Sequence, residues 1–156
     1  MKISIIAVGR ISNSLEAELA NRYINRFNKL NKFIGLSLLQ IIEVDDKKYK
    51  TKKQQAKKIL EITKAETNIV IFDQKGKSVS SENFTKYLTN HRDSGVKKLV
   101  FIIGGAFGLC RSLYKESNEI LSLGKMIWPH LLVRVMVTEQ IYRSALIILG
   151  NPYHKN

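Results

Sequence analysis

The chain has 156 residues, 44% apolar and 25% charged, which suits one globular domain over residues 1–156. Twenty-six Lys and Arg against 13 Asp and Glu leave a net charge of +13, more than solubility requires. That excess points to a polyanionic partner, nucleic acid before an anionic membrane, with a lysine-rich genome as the plainer alternative. A lone cysteine, Cys110, excludes an internal disulfide and fits a reducing, cytoplasmic setting. No signal-peptide pattern opens the chain. Leu131 to Gly150 approaches membrane-span length, but Arg134, Glu139 and Arg143 within it argue against insertion.

Lys2 to Val8 reads as a buried strand running into Gly9. Asn13 or Ser14 can cap the helix after it, in which Leu15, Leu19, Tyr23, Ile24 and Phe27 recur at helical spacing. Leu36 to Val44 is nearly all apolar and is expected as a second strand, covered on both faces. Asp45 to Lys58 holds seven lysines in 14 residues, a disordered loop around 47–53 leading into a helix with Ala56, Ile59, Leu60 and Thr63 on one side. This run is either a solvated helix start or a patch facing RNA.

Asn68 to Phe72 is the third expected strand, with Asp73 to Lys77 as the loop at its carboxyl end. Ser80 or Ser81 caps a helix to about Arg92. Lys98 to Ile103 is a fourth strand, followed at once by Gly104-Gly105-Ala106-Phe107-Gly108. Glu119 to Leu123 is a shorter, fifth candidate, and Pro129 starts a helix reaching about Gly150. Strands alternating with helices predict a parallel α/β sheet flanked by helices.

Ligands of such sheets sit outside the carboxyl ends of the strands, which singles out 73–77 and 104–108. The Gly-Gly-x-x-Gly run is either a ligand loop or a structural turn, and no Gly-Lys-Ser/Thr follows to make it a P-loop. The final helix is apolar all round, so part of it is expected to pack against a second copy. Glu139 and Arg143 share a face four residues apart, forming an interface ion pair or leaving Arg143 to hold a phosphate. His130 and His154 are each structural or available for proton transfer or RNA contact. No Cys/His cluster has metal spacing.

Taken in order, Asp73-x-x-Gly76-Lys77, Ile103-Gly104-Gly105-x-x-Gly108, Leu121-Ser122 to Trp128-Pro129-His130, Arg134-Val135 with Glu139-Gln140-x-Tyr142-Arg143, and Tyr153-His154-Lys155 form a recognisable set. The whole chain resembles the ribosomal RNA large-subunit methyltransferase H family, of the SPOUT class. The resemblance implies a SPOUT-type α/β trefoil knot in the C-terminal half, a homodimer, and no metal or membrane. It implies transfer of a methyl group from S-adenosyl-L-methionine to ring nitrogen 3 of a pseudouridine in large-subunit rRNA, met in an assembled ribosome in the cytoplasm. Phe72, Gly104, Leu123, Gly124, Lys125, Met126, Ile127 and Trp128 would contact the cofactor. His154 and Tyr153 would stand near the base, with Arg143 on a phosphate or carbonyl oxygen and Glu139 orienting Arg143. The chain departs from the commoner family pattern at Ala106-Phe107, Gly124 and Trp128. A non-catalytic, basic RNA-binding homodimer of the same fold is the alternative.

Overall fold

The computed structural model describes residues 1–11, 13–63 and 67–151. These form a five-stranded parallel sheet with helices on both faces. The strands are β1 (Lys2–Val8), β2 (Ile41–Val44), β3 (Thr67–Ser78), β4 (Lys98–Ile103) and β5 (Glu119–Ser122), in the order β2-β1-β4-β3-β5. The helices are α1 (Leu15–Leu30), α2 (Lys52–Thr63), α3 (Ser81–Asp93), α4 (Arg111–Glu116) and α5 (His130–Ile148).

Side chains alternate across the pleat, and this partitions the core. Ile3, Ile5 and Ala7 of β1, Leu99 and Phe101 of β4, and Val70 and Phe72 of β3 pack with α1, α3 and α5. Ile6, Val8, Val100, Ile102, Ile69 and Ile71 point the other way, onto Ala56 and Ile59 of α2 and Leu113 of α4. Phe72, Phe84 and Phe101 meet as a triangle with centroids 5.6 to 6.2 Å apart, which locks α3 to the sheet. No helix among the described residues is long and apolar enough to cross a membrane.

The caps follow local chemistry. Ser14, rather than Asn13, caps α1 by accepting from Ala17 N at 3.2 Å. Ser14→Ala is expected to cost about 1 kcal/mol of stability, read as a lower urea midpoint at unchanged slope. An unaltered midpoint would mean that the cap contributes nothing. Ser80 caps α3 through Asn83 N. Thr51 and Gln54 bond each other's backbone N–H reciprocally at 3.1 and 3.2 Å, a capping box that starts α2.

Three sequence expectations are corrected, and one element was missed. The second strand does not begin at Leu36. The amide of Leu36 bonds Asn31 O, while Asn28 binds both backbone groups of Leu39, so the stretch is satisfied largely by α1 and the turn after it. Residues 47–53 are not disordered, because the Asp45 carboxylate accepts from Lys47 N and Lys48 N and organises the turn. Residues 73–77 are not a free loop. Strand β3 continues to Ser78 with a register step, so that Phe72 and Lys77 both lie opposite Leu121. The short helix α4 was not anticipated, since its single deeply buried residue, Leu113, leaves no periodic pattern.

Candidate active site

All strands run the same way, so the turns leaving β3, β4 and β5 gather at one edge. After β4 the chain reverses through Gly105 to Gly108, closed by Gly108 N donating to Gly105 O at 2.9 Å. A Cβ on Gly104 would lie 3.2 Å from Leu109, and one on Gly105 3.1 Å from Val8, so these glycines are there for close approach. Phe107 stands at the tip, 87% exposed.

After β5 the Ser122 hydroxyl donates to Gly124 O at 2.7 Å and accepts from Gly124 N at 3.1 Å. This turn bends the chain at Gly124, whose φ of +114° is outside the usual range of other residues. It directs Met126, Ile127 and Trp128 along the opening, the first two largely exposed. From β3, Asp73 is fixed by Lys75 N at 2.9 Å and by the Tyr114 hydroxyl, which donates to it at 2.7 Å. Burial, with Asp73 adding to it, pushes the Tyr114 phenol well above its ordinary value, so it remains a donor.

Between these turns lies a cleft of about 590 Å3, within the range of small-molecule sites. Phe72, Gly104, Leu123, Gly124, Met126, Ile127 and Trp128 line it; Lys125, the remaining expected cofactor contact, does not. Apolar side chains and close backbone from two glycine turns suit a flat heteroaromatic ligand with polar edges.

His130, at the start of α5, also lines the cleft. Burial and the nearby Arg134 guanidinium hold its imidazole below the ordinary histidine value, against a smaller pull from Asp46, so it is neutral at neutral pH. Arg134 itself is fully buried. It donates to Val8 O at 2.7 Å, to Gly9 O at 3.0 Å and to Glu43 at 3.2 Å, tying α5 to the ends of β1 and β2. That structural role was not read from the sequence, although a charge on an apolar helix was its signal.

Glu139 and Arg143 form the expected ion pair, at 2.7 to 2.9 Å. The second Glu139 oxygen accepts from Gln140, which in turn accepts from Ser81 at 2.7 Å. Glu139 and Gln140 line a second cavity of about 520 Å3, which shares Phe72 and Leu123 with the first. Within one chain, Glu139 therefore faces the second cavity rather than the cleft, and Arg143 lines neither. Tyr153 and His154 lie outside the described residues. Among the described residues no group of three or more His, Cys, Asp or Glu is placed to hold a metal ion.

The family described as "Predicted SPOUT methyltransferase" matches residues 1–154. The chain is also similar, over 99% of its length, to proteins named ribosomal RNA large subunit methyltransferase H. It is 39% identical to that of Sinorhizobium fredii over 159 residues, 99% of the relative. Identity is 41% to that of Agrobacterium fabrum and 39% to that of Ruegeria pomeroyi, with 99% of each covered.

Proposed function

The chain belongs to the SPOUT methyltransferase family, and from that premise we propose that it methylates ring nitrogen 3 of a pseudouridine in large-subunit ribosomal RNA. The cofactor of this reading is S-adenosylmethionine, and the place of action is the cytoplasmic ribosome. What supports it is the convergence of Phe72, Gly104 and the 123–128 turn on one cleft, with glycines where a Cβ would obstruct the backbone. These residues fit an adenosyl group: glycine-exposed amides and carbonyls for its polar edge, apolar walls for its ring.

When bound, S-adenosylmethionine supplies an electrophilic methyl carbon. The chain must then place the imide nitrogen in line with that carbon and help to remove its proton. Placement alone contributes roughly 7 kcal/mol or more in well-oriented reactions. The imide is a weak acid, so negative charge developing on its flanking carbonyls needs a cation or hydrogen-bond donor. In this scheme Tyr153 and His154 stand beside the base and Arg143 holds a phosphate or a carbonyl oxygen. Glu139 orients Arg143, a role suited by the engagement of both its carboxylate oxygens.

A homodimer belongs to the same proposal. Leu132 on α5, Leu149 at its C-cap and Ile127 beside its start are exposed apolar groups that a second copy would cover. It would also give the Glu139–Arg143 pair a route to a partner's cleft. The trefoil crossing of the C-terminal half is the further fold element of this scheme.

The test is mass spectrometry of digested large-subunit rRNA, after incubating unmethylated ribosomes with purified protein and S-adenosylmethionine. One added methyl on a pseudouridine, at the nitrogen and not the ribose, is expected. Rrna left unmodified by protein that binds the cofactor would instead favour the non-catalytic reading.

A further inference from the structure

Strand β2 ends at Val44 and α2 begins at Lys52, so the lysines at 47–53 sit at the carboxyl edge of the sheet. That is the edge on which the cleft opens. Helix α4 packs beside α2 on the same sheet face and adds exposed Arg111 and Lys115. Helix α4 reaches the site directly, because its Tyr114 lines the cleft. Leu109 lines the cleft, and next to it the Cys110 thiol is held below its ordinary value, chiefly by its hydrogen bond with Ser112, with Lys52 contributing through space.

The acids of this segment are engaged elsewhere. Asp45 accepts from two backbone amides and pairs with Arg10 at 2.9 Å. The Asp46 carboxylate lies against Gly9 and acts on Arg134 and His130. Lys58 pairs with Glu61 at 3.5 Å. Lys47, Lys50, Lys52, Lys53 and Lys57 are exposed and, among the described residues, have no carboxylate at ion-pair distance.

From this arrangement we infer that the α2–α4 face is the platform that grips the phosphate backbone of the RNA substrate, delivering the target base to the cleft from that side. The inference rests on the methyltransferase reading above. Lys53 and Lys57 stand one helical turn apart, so the cations form a row, which matches a repeating anion better than a single phosphate. A membrane fits poorly, because the exposed large apolar side chains of the chain, such as Phe107 and Ile127, lie outside α2, α4 and the 45–51 turn.

The experiment compares two variants of equal charge. One carries Lys50→Gln, Lys52→Gln, Lys53→Gln and Lys57→Gln; the other carries Lys29→Gln, Lys32→Gln, Lys86→Gln and Lys97→Gln, away from this face. Affinity for unmethylated large ribosomal subunits is measured across salt concentrations, and S-adenosylmethionine affinity by calorimetry. The first variant is expected to bind subunits about tenfold or more weaker at ~0.1 M salt, with the log–log salt slope reduced by about four. Its cofactor affinity and thermal midpoint should match wild type, and the second variant should keep the wild-type slope. Equal losses in both variants, or none in the first, overturn the platform. Wild-type protein that neither binds nor methylates the subunits overturns the methyltransferase reading itself, and the platform with it.

Discussion

Arg134→Ala is expected to lower the stability of the fold by about 3 kcal/mol, because removing one partner of a buried charged network leaves the others uncompensated. Its guanidinium is completely buried in α5 and bridges the carbonyls of Val8 and Gly9 to the Glu43 carboxylate. Alanine would leave both carbonyls and the carboxylate short of donors, and would open a void between α5 and the β1 and β2 ends. Burial pulls the arginine below its ordinary value while Glu43 and Asp46 oppose that pull, and an arginine begins high enough to stay charged. For a domain of this length the loss corresponds to a thermal midpoint lower by roughly 10 °C. Arg134→Lys should recover only part of it, since an ammonium lacks the planar fork that reaches two acceptors at once. Differential scanning calorimetry of both variants decides the matter. A shift below about 2 °C for alanine would show that the network adds little net stability.

The second large effect is expected at Gly76. A Cβ there would lie 2.6 Å from the carbonyl carbon and oxygen of Leu121 and 2.8 Å from that of Ile120. The obstacle is backbone on a neighbouring strand, which no rotamer change can relieve. Gly76→Ala should therefore push β5 away from β3, costing about 1–3 kcal/mol as overpacking does. Because β5 leads directly into Ser122 and Gly124, the displacement is transmitted to the cleft wall. Affinity for S-adenosylmethionine is expected to fall by about tenfold, equivalent to about 1.4 kcal/mol. Calorimetric titration beside a urea unfolding curve separates the two consequences. Wild-type values in both would show that β5 accommodates the methyl group without moving.

Much of the fold is legible in the residues. The runs KISIIAV, NIVIF and KLVFII are apolar and mostly β-branched on both pleat faces, which only a sheet covered on each side can satisfy, and they are found as β1, the first part of β3, and β4. Apolar spacing and caps placed α1, α3 and α5 to within a few residues. Strand β2 was overextended because Leu36 to Gln40 is as apolar as a strand, while side chains of Asn28 and Asn31, at the end of α1 and just after it, take up part of its hydrogen bonding. Periodicity carries no information about such partners.

The site divides in the same way. The glycines at 104, 105 and 108 marked a turn, and the family motifs pointed to 123–128, which the structure brings to the same cleft with the exception of Lys125. Neither source indicated that Tyr114 would hold Asp73, and His130, left by the sequence as structural or available for proton transfer, is placed on the cleft wall with its imidazole held below the ordinary value. Both depend on elements that meet only when the sheet is assembled.

Sequence by itself determined the chemistry available to this protein: a parallel α/β sheet, backbone-rich turns at its carboxyl edge and a large excess of positive charge. Local propensity and composition suffice for these, because each is a property of contiguous residues. Tertiary structure alone decided where that chemistry is used. It engaged Asp45 and Asp46 with interior or neighbouring partners while leaving Lys47, Lys50, Lys52, Lys53 and Lys57, among the described residues, without a carboxylate at ion-pair distance, and it turned Glu139 to a second cavity that shares Phe72 and Leu123 with the cleft. Those outcomes depend on contacts between residues far apart in the chain, which form only once the core has fixed every strand end at a single edge.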